Sequence, residues 1–542
     1  MSERSVAATV IETLRDMGVK HVFGVPSGGW VDFMEAIRTT DGIEFVLTTH
    51  EGGAAFMADV CGRLTGIPGV CFGTFGPGAT NLATGVGSAQ LDRSPMIALT
   101  DEMPTSLQDR VVQMGIDHQA LMKPITKWTS RLSIDRVGET LETARSMATS
   151  GRPGAVHIGM PVDITSTQVP RETSVVASGA GVIEADLATI EVAQTAIATA
   201  DKPLVALGLG AVRADIRAEV IAFAEAHGLP VVLTPMAKGL FPESHTNYAG
   251  VLFHALSDQV AVTHSQADLI LAVGYDPVEF TLENWMPMAT LVNVDDAPLN
   301  ADPSAYTDCL QVEGDIATSF RAIAAMPATA HAWDLSALRA RTDAMFAQMR
   351  PESDEFGPCA VLDVLREALP EDGIMTCDVG AHTHLIGQKW PTPAPGTQIM
   401  TNGWSAMGFG LPAAIAAKLC DPGRSVCTVI GDGGFLMSAG EIATAVRENI
   451  NVIVVVLTDN DLALIRIKQQ RKDNPIFGTP VREAEGTLGG DNIFGAPVLV
   501  APDVAALARH LDAAFNAEGP VIVEALISSA EYDELVLRKD KP

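Results

Sequence analysis

Two acidic residues at the ends of neighbouring predicted strands carry the clearest chemical signal in the chain. Asp432 lies in the glycine turn 431–434 after one apolar strand, and Asp459 follows the next strand, with a predicted helix through about Arg447 between them. Consecutive parallel strands place their C-terminal ends side by side, where open α/β sheets bind ligands. Carboxylates are hard oxygen ligands for Mg²⁺, and N–H groups at a helix N-terminus can bind phosphate oxygens. The pattern therefore predicts a divalent metal that carries a diphosphate; a plain glycine turn with two exposed acids is the alternative.

Glu51 is a second candidate, at the predicted N-terminus of the helix that begins EGGAAFMADV. An acid at this position stabilises the helix macrodipole by about 0.3–1 kcal/mol, which is a sufficient structural explanation. A carboxyl in a partly dehydrated pocket would instead have a raised pKa and could exchange protons near neutral pH. The residues alone leave both interpretations open.

The elements that must position these acids alternate along the chain as apolar strands and helices. This alternation predicts an α/β fold class with three doubly wound parallel-sheet domains. We place the domains at residues 1–170, 187–335 and 356–530, with a polar linker between the first two. The first and third domains are similar in length and pattern, as a divergent internal duplication would produce.

The composition disfavours several classes of function. A formal net charge of −30 argues against nucleic-acid and anionic-membrane partners, because phosphate binding depends on Lys and Arg. Seven cysteines without a Cys-x-x-Cys pair predict thiols in a reducing compartment. The N-terminus lacks a signal-peptide pattern and no apolar run approaches about 18 residues, so we expect a cytoplasmic protein without a membrane span. No G-x-G-x-x-G motif follows the relevant strands, which disfavours an NAD-binding protein.

Several motifs together resemble those of the thiamine-diphosphate-dependent 2-oxo acid decarboxylase and carboligase superfamily. They are Gly-Asp-Gly at 431–433 with Asp459, His-Glu-Gly-Gly-Ala-Ala at 50–55, Gly-Pro-Gly-Ala-Thr-Asn at 76–81, and the segments 116–128 and 402–412. The resemblance spans nearly the whole chain and is closest to the FAD-independent, catabolic-type acetolactate synthases. It implies thiamine diphosphate and Mg²⁺ as cofactors. It also implies that the three domains are, in chain order, pyrimidine-binding, middle and diphosphate-binding.

The resemblance assigns a role to each acid. The side chains of Asp432 and Asp459 and the backbone carbonyl of Asp461 are implied to hold the metal. Glu51 is implied to be catalytic, protonating the aminopyrimidine of a cofactor that is held by residues 431–461 of the opposite subunit. We therefore expect a homodimer or homotetramer with active sites at the subunit interface.

Further positions match the family's cofactor-binding segments. Met407 is implied to hold the cofactor in its bent form, with Ser405 beside the pyrimidine; a Met packed in a glycine-rich core loop is the alternative. His382 matches the histidine that touches the diphosphate, but a lone histidine is often structural. The complete predicted cofactor-binding set is Pro26, Glu51, Gly76, Asn81, His382, Ser405, Met407, Gly431, Gly433, Gly434 and Ile465.

The family's catalytic and substrate-contacting positions are matched less closely. Gln113 matches a pocket glutamine of the acetolactate synthases if one residue is inserted here, and Gln119 is a poorer match. Lys468, on the helix after the metal motif, could face a substrate carboxylate or solvent. The segment 273–279 resembles the flavin-free branch, whereas the FAD-binding branch has Arg-Phe-Asp-Asp-Arg there. We therefore expect no functional FAD.

Three positions near the expected substrate depart from the acetolactate synthase pattern. Gly29 stands where catabolic enzymes often carry Lys, Trp30 where Val or Ile is usual, and Phe75 where Ser is usual. We predict that all three contact the substrate. Their sizes put the identity of the substrate in question rather than that of the cofactor.

The implied reaction begins with decarboxylation of a small 2-oxo acid. Pyruvate-decarboxylase-type enzymes use two adjacent histidines to protonate the product, and this sequence has no His-His pair. The absence favours ligation, so the expected activity is formation of 2-acetolactate and CO₂ from two pyruvates. The alternatives are a non-ligating decarboxylase, a carboligase for another oxo acid (an anionic one resembling sulfopyruvate, for example), and an inactive cofactor-binding paralogue.

Overall fold

Three parallel sheets with helices on both faces make up the described chain. The computed structural model describes residues 3–108, 110–170, 183–279, 288–350, 355–482 and 487–536. Within one strand, neighbouring residues belong to different hydrophobic clusters: Val70 and Phe72 pack on one face of the first sheet, and Cys71 packs on the other. Burial on both faces is what the near-continuous apolar strands require. The predicted α/β fold class with three doubly wound parallel sheets is confirmed.

The first domain begins and ends with two short strands that pair with each other. Its strands are β1 (Glu3–Ser5), β2 (His21–Gly24), β3 (Glu44–Leu47), β4 (Gly69–Gly73), β5 (Met96–Glu102), β6 (Trp128–Arg131), β7 (Ala155–Pro161) and β8 (Gln168–Pro170). Its helices are α1 (Val6–Asp16), α2 (Val31–Arg38), α3 (Glu51–Thr65), α4 (Pro77–Leu91), α5 (His118–Met122) and α6 (Val137–Thr149). The main sheet has the order β3-β2-β4-β5-β7-β6, and β1 pairs with β8 antiparallel.

The middle domain is a second parallel sheet. Its strands are β9 (Pro203–Leu207), β10 (Val231–Leu233), β11 (Tyr248–Val251), β12 (Leu269–Val273), β13 (Thr290–Asp295) and β14 (Asp308–Glu313). Its helices are α7 (Leu187–Thr199), α8 (Leu209–Arg213), α9 (Arg217–His227), α10 (Ser257–His264), α11 (Ile316–Ala324) and α12 (Leu335–Gln348). The strand order is β11-β10-β9-β12-β13-β14.

The third domain carries the strands that flank the two aspartates. Its strands are β15 (Ile374–Cys377), β16 (Gln398–Met400), β17 (Val426–Gly431), β18 (Ile453–Thr458), β19 (Asn492–Ile493), β20 (Ala496–Ala501) and β21 (Val521–Leu526). Its helices are α13 (Pro358–Ala368), α14 (Ala381–Lys389), α15 (Gly410–Cys420), α16 (Asp432–Ser438), α17 (Glu441–Arg447), α18 (Ala463–Gln470), α19 (Val504–Phe515) and α20 (Ala530–Leu535). The order is β16-β15-β17-β18-β21-β20-β19, and β19 pairs with β20 antiparallel.

The predicted helix after Asp432 differs from the observed one. It is broken into α16 and α17 at Ala439 and Gly440, so Glu441 begins a new helix. The break turns the start of α17 towards the first domain, where Gly440 lies against Thr49. Among the helices of the described ranges, none combines the length and the apolar character that crossing a membrane requires.

Candidate active site

Glu51 is the first residue of α3 and is buried, with 9% of its surface exposed. His50 caps the helix, since its Nδ1 accepts a hydrogen bond from the Gly52 N–H at 2.9 Å. From α4, the Asn81 side-chain amide donates to Glu51 Oε2 at 2.9 Å. The structure therefore joins two of the predicted cofactor-binding residues in one hydrogen bond at the C-terminal edge of the first sheet.

The turn before Glu51 is held by Glu441, a buried residue that sequence analysis missed. Its Oε1 accepts hydrogen bonds from the Thr49 N–H at 3.2 Å, the Thr49 hydroxyl at 2.8 Å and the His50 N–H at 3.1 Å. Its Oε2 accepts from the Thr444 hydroxyl at 2.7 Å. Because charge-assisted hydrogen bonds are the stronger ones, this carboxylate fixes the start of α3 against the third domain. The sequence predicts one continuous helix through Arg447, in which Glu441 is an ordinary interior acid, and this hides its role.

Glu441→Gln should destabilise the protein by about 1–3 kcal/mol, because the amide nitrogen cannot accept the bonds that one carboxylate oxygen now accepts. Denaturant unfolding monitored by circular dichroism measures the loss. Glu448→Gln, one residue beyond the same helix, is the matched control and should unfold like the wild type. Equal stability of the Glu441 variant and this control would contradict the docking role.

Asp432 and Asp459 follow the adjacent parallel strands β17 and β18. Asp432 Oδ1 accepts from the Gly433 N–H at 2.8 Å, and its Oδ2 accepts from the Asn460 N–H at 2.9 Å. Asp459 Oδ1 accepts from the Asp461 N–H at 3.2 Å. The two carboxylates are thus tied to the same turn, as the strand-end argument from the sequence requires.

The Asp461 side chain points elsewhere. Its Oδ2 pairs with Arg466 Nε at 2.9 Å, which is compatible with a role for the Asp461 backbone carbonyl alone. Within the described ranges, no group of three or more His, Cys, Asp or Glu side chains forms a metal cluster. The predicted ligand set consists of two carboxylate side chains and one backbone carbonyl, so it has too few side chains to form such a cluster.

The charges of these acids are poorly balanced by the protein. Burial raises the pKa of Asp432, and it raises the pKa of Asp459 to about 7, with the negative charge of Asp432 adding to the second shift. The Arg482 guanidinium approaches Asp432 Oδ2 only to 3.6 Å. A divalent cation favours the ionised carboxylates and would offset this repulsion. The donor set therefore fits a hard divalent metal.

The residues around the glycine turn fit a bound anionic group. His382 is buried on α14, and its Cε1 lies 3.4 Å from the position that a Cβ on Gly431 would occupy. Its Nε2 has no hydrogen-bond partner among the described residues. Burial lowers the pKa of His382 to about 4, so the ring is neutral near pH 7. An unpartnered buried nitrogen beside a helix N-terminus matches the diphosphate role predicted for this histidine.

Asp378 connects this turn with the segment that carries Met407. It is fully buried at the end of β15, and its Oδ1 accepts from the Gly408 N–H at 2.9 Å. A Cβ on Gly434 would lie 2.5 Å from Asp378 Oδ2, so only glycine fits there. Burial raises the pKa of Asp378 to about 7. Asp378 thereby contacts both the glycine turn and the backbone next to Met407.

A cleft of about 380 Å³ opens between the first and third domains of the single chain. Its walls include Asn81 and Met407, both predicted to bind the cofactor, and Met437 from α16. Met437 is 64% exposed. One chain therefore brings Asn81 and Met407 to a common cleft, whereas Asp432 and Asp459 lie outside its lining.

A second cleft, of about 650 Å³, lies at the C-terminal edge of the first sheet. Gly29 and Phe75 line it together with Ser27, Thr74 and Met114. A Cβ on Gly29 would lie 2.6 Å from Val162 Cγ1, so a longer side chain would require this wall to move. The structure thus brings together two of the three predicted substrate positions that depart from the family pattern.

Trp30, the third such position, lies elsewhere, and the prediction that its side chain contacts substrate requires correction. Its side chain is fully buried in the core of the first domain. Its ring is stacked on Phe72, with centroids 3.6 Å apart, and on Phe33 at 4.2 Å. A large aromatic residue after a glycine turn gains more from core burial than from lining an open cleft.

Asp101 is a further residue at this cleft that sequence analysis missed. It lies near the end of β5, fully buried, and its Oδ2 accepts from the Ser27 hydroxyl at 2.5 Å. Burial raises its pKa to about 7, although hydrogen bonds from Ser27 and Thr74 oppose the shift. It therefore bonds to both turns that bound the cleft. The run MIALTDE, an apolar strand that ends in acids, is the signal that could have identified it.

Most of the other predicted positions lie on the surface of the single chain. Pro26, Gln113, Ser405, Ile465 and Lys468 are all exposed. Burial lowers the pKa of His384 to about 4, and the charge of Lys468 adds to that shift, which places Lys468 near α14. Gly76 is buried and donates its N–H to His118 Nε2 at 3.1 Å. The poorer match Gln119 is engaged internally, donating to Glu102 Oε1 at 2.7 Å.

Comparison with known proteins gives consistent results for all three domains. Family models described as "Thiamine pyrophosphate enzyme" match as N-terminal TPP binding domain over residues 4–121, central domain over 190–323 and C-terminal TPP binding domain over 378–525. An acetolactate synthase of Bacillus subtilis (strain 168) is 30% identical over 99% of this chain and 95% of its own length. A catabolic acetolactate synthase of Raoultella terrigena is 29% identical over 95% and 94%. A probable 2-ketoarginine decarboxylase of Pseudomonas aeruginosa is 30% identical over 95% and 92%.

Proposed function

Because the chain belongs to the thiamine pyrophosphate enzyme family, we propose that it decarboxylates a small 2-oxo acid and joins the remaining fragment to a second carbonyl compound. It is a thiamine-diphosphate-dependent enzyme of the transferase or lyase type, similar to acetolactate synthases. The observation that carries the proposal is the placement of buried Glu51 and of the linked pair Asp432 and Asp459 at the C-terminal edges of two sheets. The preferred reaction is formation of 2-acetolactate from two pyruvates.

In this proposal each residue has one task. Bound thiamine diphosphate supplies the electron sink that allows a 2-oxo acid to lose CO₂. Asp432, Asp459 and the Asp461 carbonyl hold Mg²⁺, and His382 with the turn 431–434 binds the diphosphate. Glu51, oriented by Asn81, holds the proton that the pyrimidine end of the cofactor requires.

The test is product identification. Purified protein with Mg²⁺ and thiamine diphosphate should consume pyruvate and release one CO₂ for each two pyruvates, with acetolactate detected by mass spectrometry. If acetaldehyde forms without acetolactate, the enzyme decarboxylates pyruvate and does not ligate it. Absence of CO₂ release from every member of a 2-oxo acid panel would contradict both activities and support an inactive paralogue.

Simple decarboxylation of an oxo acid with a cationic or hydrogen-bond-donating tail is the second candidate. Asp32 lines this cleft together with Gly29, where catabolic acetolactate synthases often carry Lys, and Asp101 is buried behind Gly29, so this wall of the cleft has acidic rather than basic character. An acidic wall disfavours a substrate with an anionic tail and favours one whose tail is cationic or donates hydrogen bonds. One relative is named a probable 2-ketoarginine decarboxylase. Including 2-ketoarginine and sulfopyruvate in the panel separates the two tail chemistries.

We propose that the active form is a homodimer or a larger homo-oligomer with sites at the subunit interface. Support comes from apolar side chains near the site that a single chain leaves exposed: Leu436 is 55% exposed, and Trp404 is 40% exposed. We also place the protein in the cytoplasm, where the seven thiols would remain reduced.

We propose further that the middle domain binds no flavin. At the turn before α8, Glu279 Oε1 accepts from the Leu209 N–H at 3.0 Å, and its Oε2 accepts from the Thr234 hydroxyl at 2.5 Å. The Glu279 side chain therefore takes up a backbone N–H at a helix N-terminus, the kind of group to which nucleotide phosphates bind. Flavin absorbance in protein purified with excess FAD would contradict this proposal.

Glu279 also gives the middle domain a specific pH dependence. Burial raises its pKa from the ordinary 4.5 to about 7, so the folded state keeps a proton that the unfolded chain loses. Stability should therefore fall as pH rises from about 4.5 to about 7. Glu279→Gln cannot ionise, and the difference in Tm between wild type and variant should shrink or reverse across this range. A parallel pH dependence of the two Tm values would contradict the assignment, whereas Glu191→Gln, at an exposed site on α7 of the same domain, should follow the wild type.

A further inference from the structure

Two cysteine thiols meet where the first and third domains pack together. Cys61 lies near the C-terminal end of α3 and is buried, and Cys420 is the last residue of α15 and is partly exposed. Their Sγ atoms are 3.0 Å apart. The residues are far apart in sequence, so no spacing motif such as Cys-x-x-Cys reveals the pair.

The packing around the two sulfurs holds the helices in place. Near Cys61 on α3, Arg63 pairs with Asp59 at 2.9 Å and donates to the Met400 carbonyl of the third domain at 2.6 Å. Farther along the same contact, Phe56 meets the ring of Phe409 edge-on, with centroids 5.5 Å apart. A cross-link between preorganised groups loses little further entropy when it forms.

We propose that Cys61 and Cys420 form an oxidation site that peroxide converts into a disulfide between the first and third domains. The geometry carries the proposal, because sulfurs already in contact need only a small approach to bond. Cys420 is the partner that peroxide can reach, since it is the partly exposed one. Hydrogen bonding by Cys61 lowers the pKa of Cys420, which increases its thiolate fraction.

The chemistry balances with hydrogen peroxide as the oxidant. The Cys420 thiolate attacks one peroxide oxygen, the O–O bond breaks, and a sulfenic acid and hydroxide form. The Cys61 sulfur then attacks the Cys420 sulfur, the S–O bond breaks, and the departing oxygen leaves as water after protonation. In sum, two thiols lose two electrons and two protons, and one peroxide becomes two waters.

The link would join two helices of one chain that each begin at or near a predicted cofactor-binding residue. Helix α3 begins at Glu51, and α15 begins shortly after Met407. A covalent tie between them restrains separation of the two domains during unfolding. We therefore expect the oxidised protein to have a higher Tm than the reduced protein.

Thiol titration of the full-length protein in denaturant tests the proposal. Peroxide treatment should lower the count from seven thiols to five, and dithiothreitol should restore seven. Peptide mapping should recover a cross-linked peptide that contains both cysteines. Cys420→Ser should lose no thiols under the same treatment, and Cys61→Ala should accumulate a dimedone-reactive sulfenic acid at Cys420. Cys309→Ser, which removes the other partly exposed cysteine, is the control and should still lose two thiols.

Three results would overturn the inference. One is a wild-type protein that keeps seven thiols at a peroxide dose that oxidises free glutathione. The second is a cross-linked peptide that lacks Cys61 or Cys420, or a disulfide between two chains. The third is irreversible sulfinic acid at Cys420 with Cys61 still alkylatable. None of these readouts depends on enzymatic turnover, so the inference and the proposed function can fail separately.

Discussion

Glu51→Gln should lower turnover by about 10²–10⁴-fold while leaving the cofactor affinity within a few-fold of wild type, because positioned acid–base groups contribute about that much to rate. Gln preserves the size of the side chain and an oxygen that can accept from Asn81, which now donates to Glu51 at 2.9 Å. The amide cannot donate or accept the proton that a carboxyl exchanges with the cofactor. The measurement is CO₂ release under saturating substrate, together with calorimetric titration of thiamine diphosphate in the presence of Mg²⁺.

The control is Glu44→Gln, which removes an exposed acid from β3 of the same domain. It should leave both turnover and affinity unchanged. Glu51→Gln with wild-type turnover would eliminate the proposed proton role. A variant that loses cofactor affinity as strongly as turnover would instead indicate a binding role.

The same variant allows a direct test of shared active sites. If Glu51 serves a cofactor held by the partner subunit, a dimer of one Glu51→Gln chain and one Asp432→Ala chain contains one intact site and one doubly altered site. Random pairing of the two inactive chains should then restore about a quarter of wild-type activity. Co-expression with two different affinity tags isolates the mixed dimers. If both residues act on one cofactor within a single chain, mixing restores nothing, and the interface assignment is wrong.

The sequence was most informative where chemistry coincides with strand ends. Asp432 and Asp459 could be placed side by side because parallel strands in succession fix their C-terminal ends at one edge. The helix after Asp432 was less predictable, because its break at Ala439 and Gly440 depends on contact with Thr49 of the first domain. The helix propensities of the residues around the break contain no information about that contact between domains.

Side-chain direction was the main quantity that the sequence did not determine. Trp30 occupies a position in a recognisable motif, yet its ring turns into the core and stacks on Phe72 because burial there removes more apolar surface from water. The predicted helix ran on through Glu441, so this residue looked like an ordinary acid inside a helix, and only the structure reveals its four hydrogen-bond donors, three of them from the first domain. Cys61 and Cys420 meet only through packing between domains, which no local pattern encodes.

Asp432→Ala should weaken Mg²⁺-dependent binding of thiamine diphosphate by more than about 100-fold, because loss of a direct ligand exceeds the 10–100-fold effects typical of residues behind the ligands. Calorimetry with and without EDTA measures the metal-dependent part. Asp461→Ala is the matched control: its side chain pairs with Arg466 at 2.9 Å, and the substitution keeps the backbone carbonyl. If that carbonyl is the ligand, the control should retain metal dependence, whereas a loss as large as that of Asp432→Ala would transfer the role to the Asp461 carboxylate. Unchanged affinity in Asp432→Ala would refute the metal assignment, since a buried carboxylate at the end of β17 would then serve structure alone.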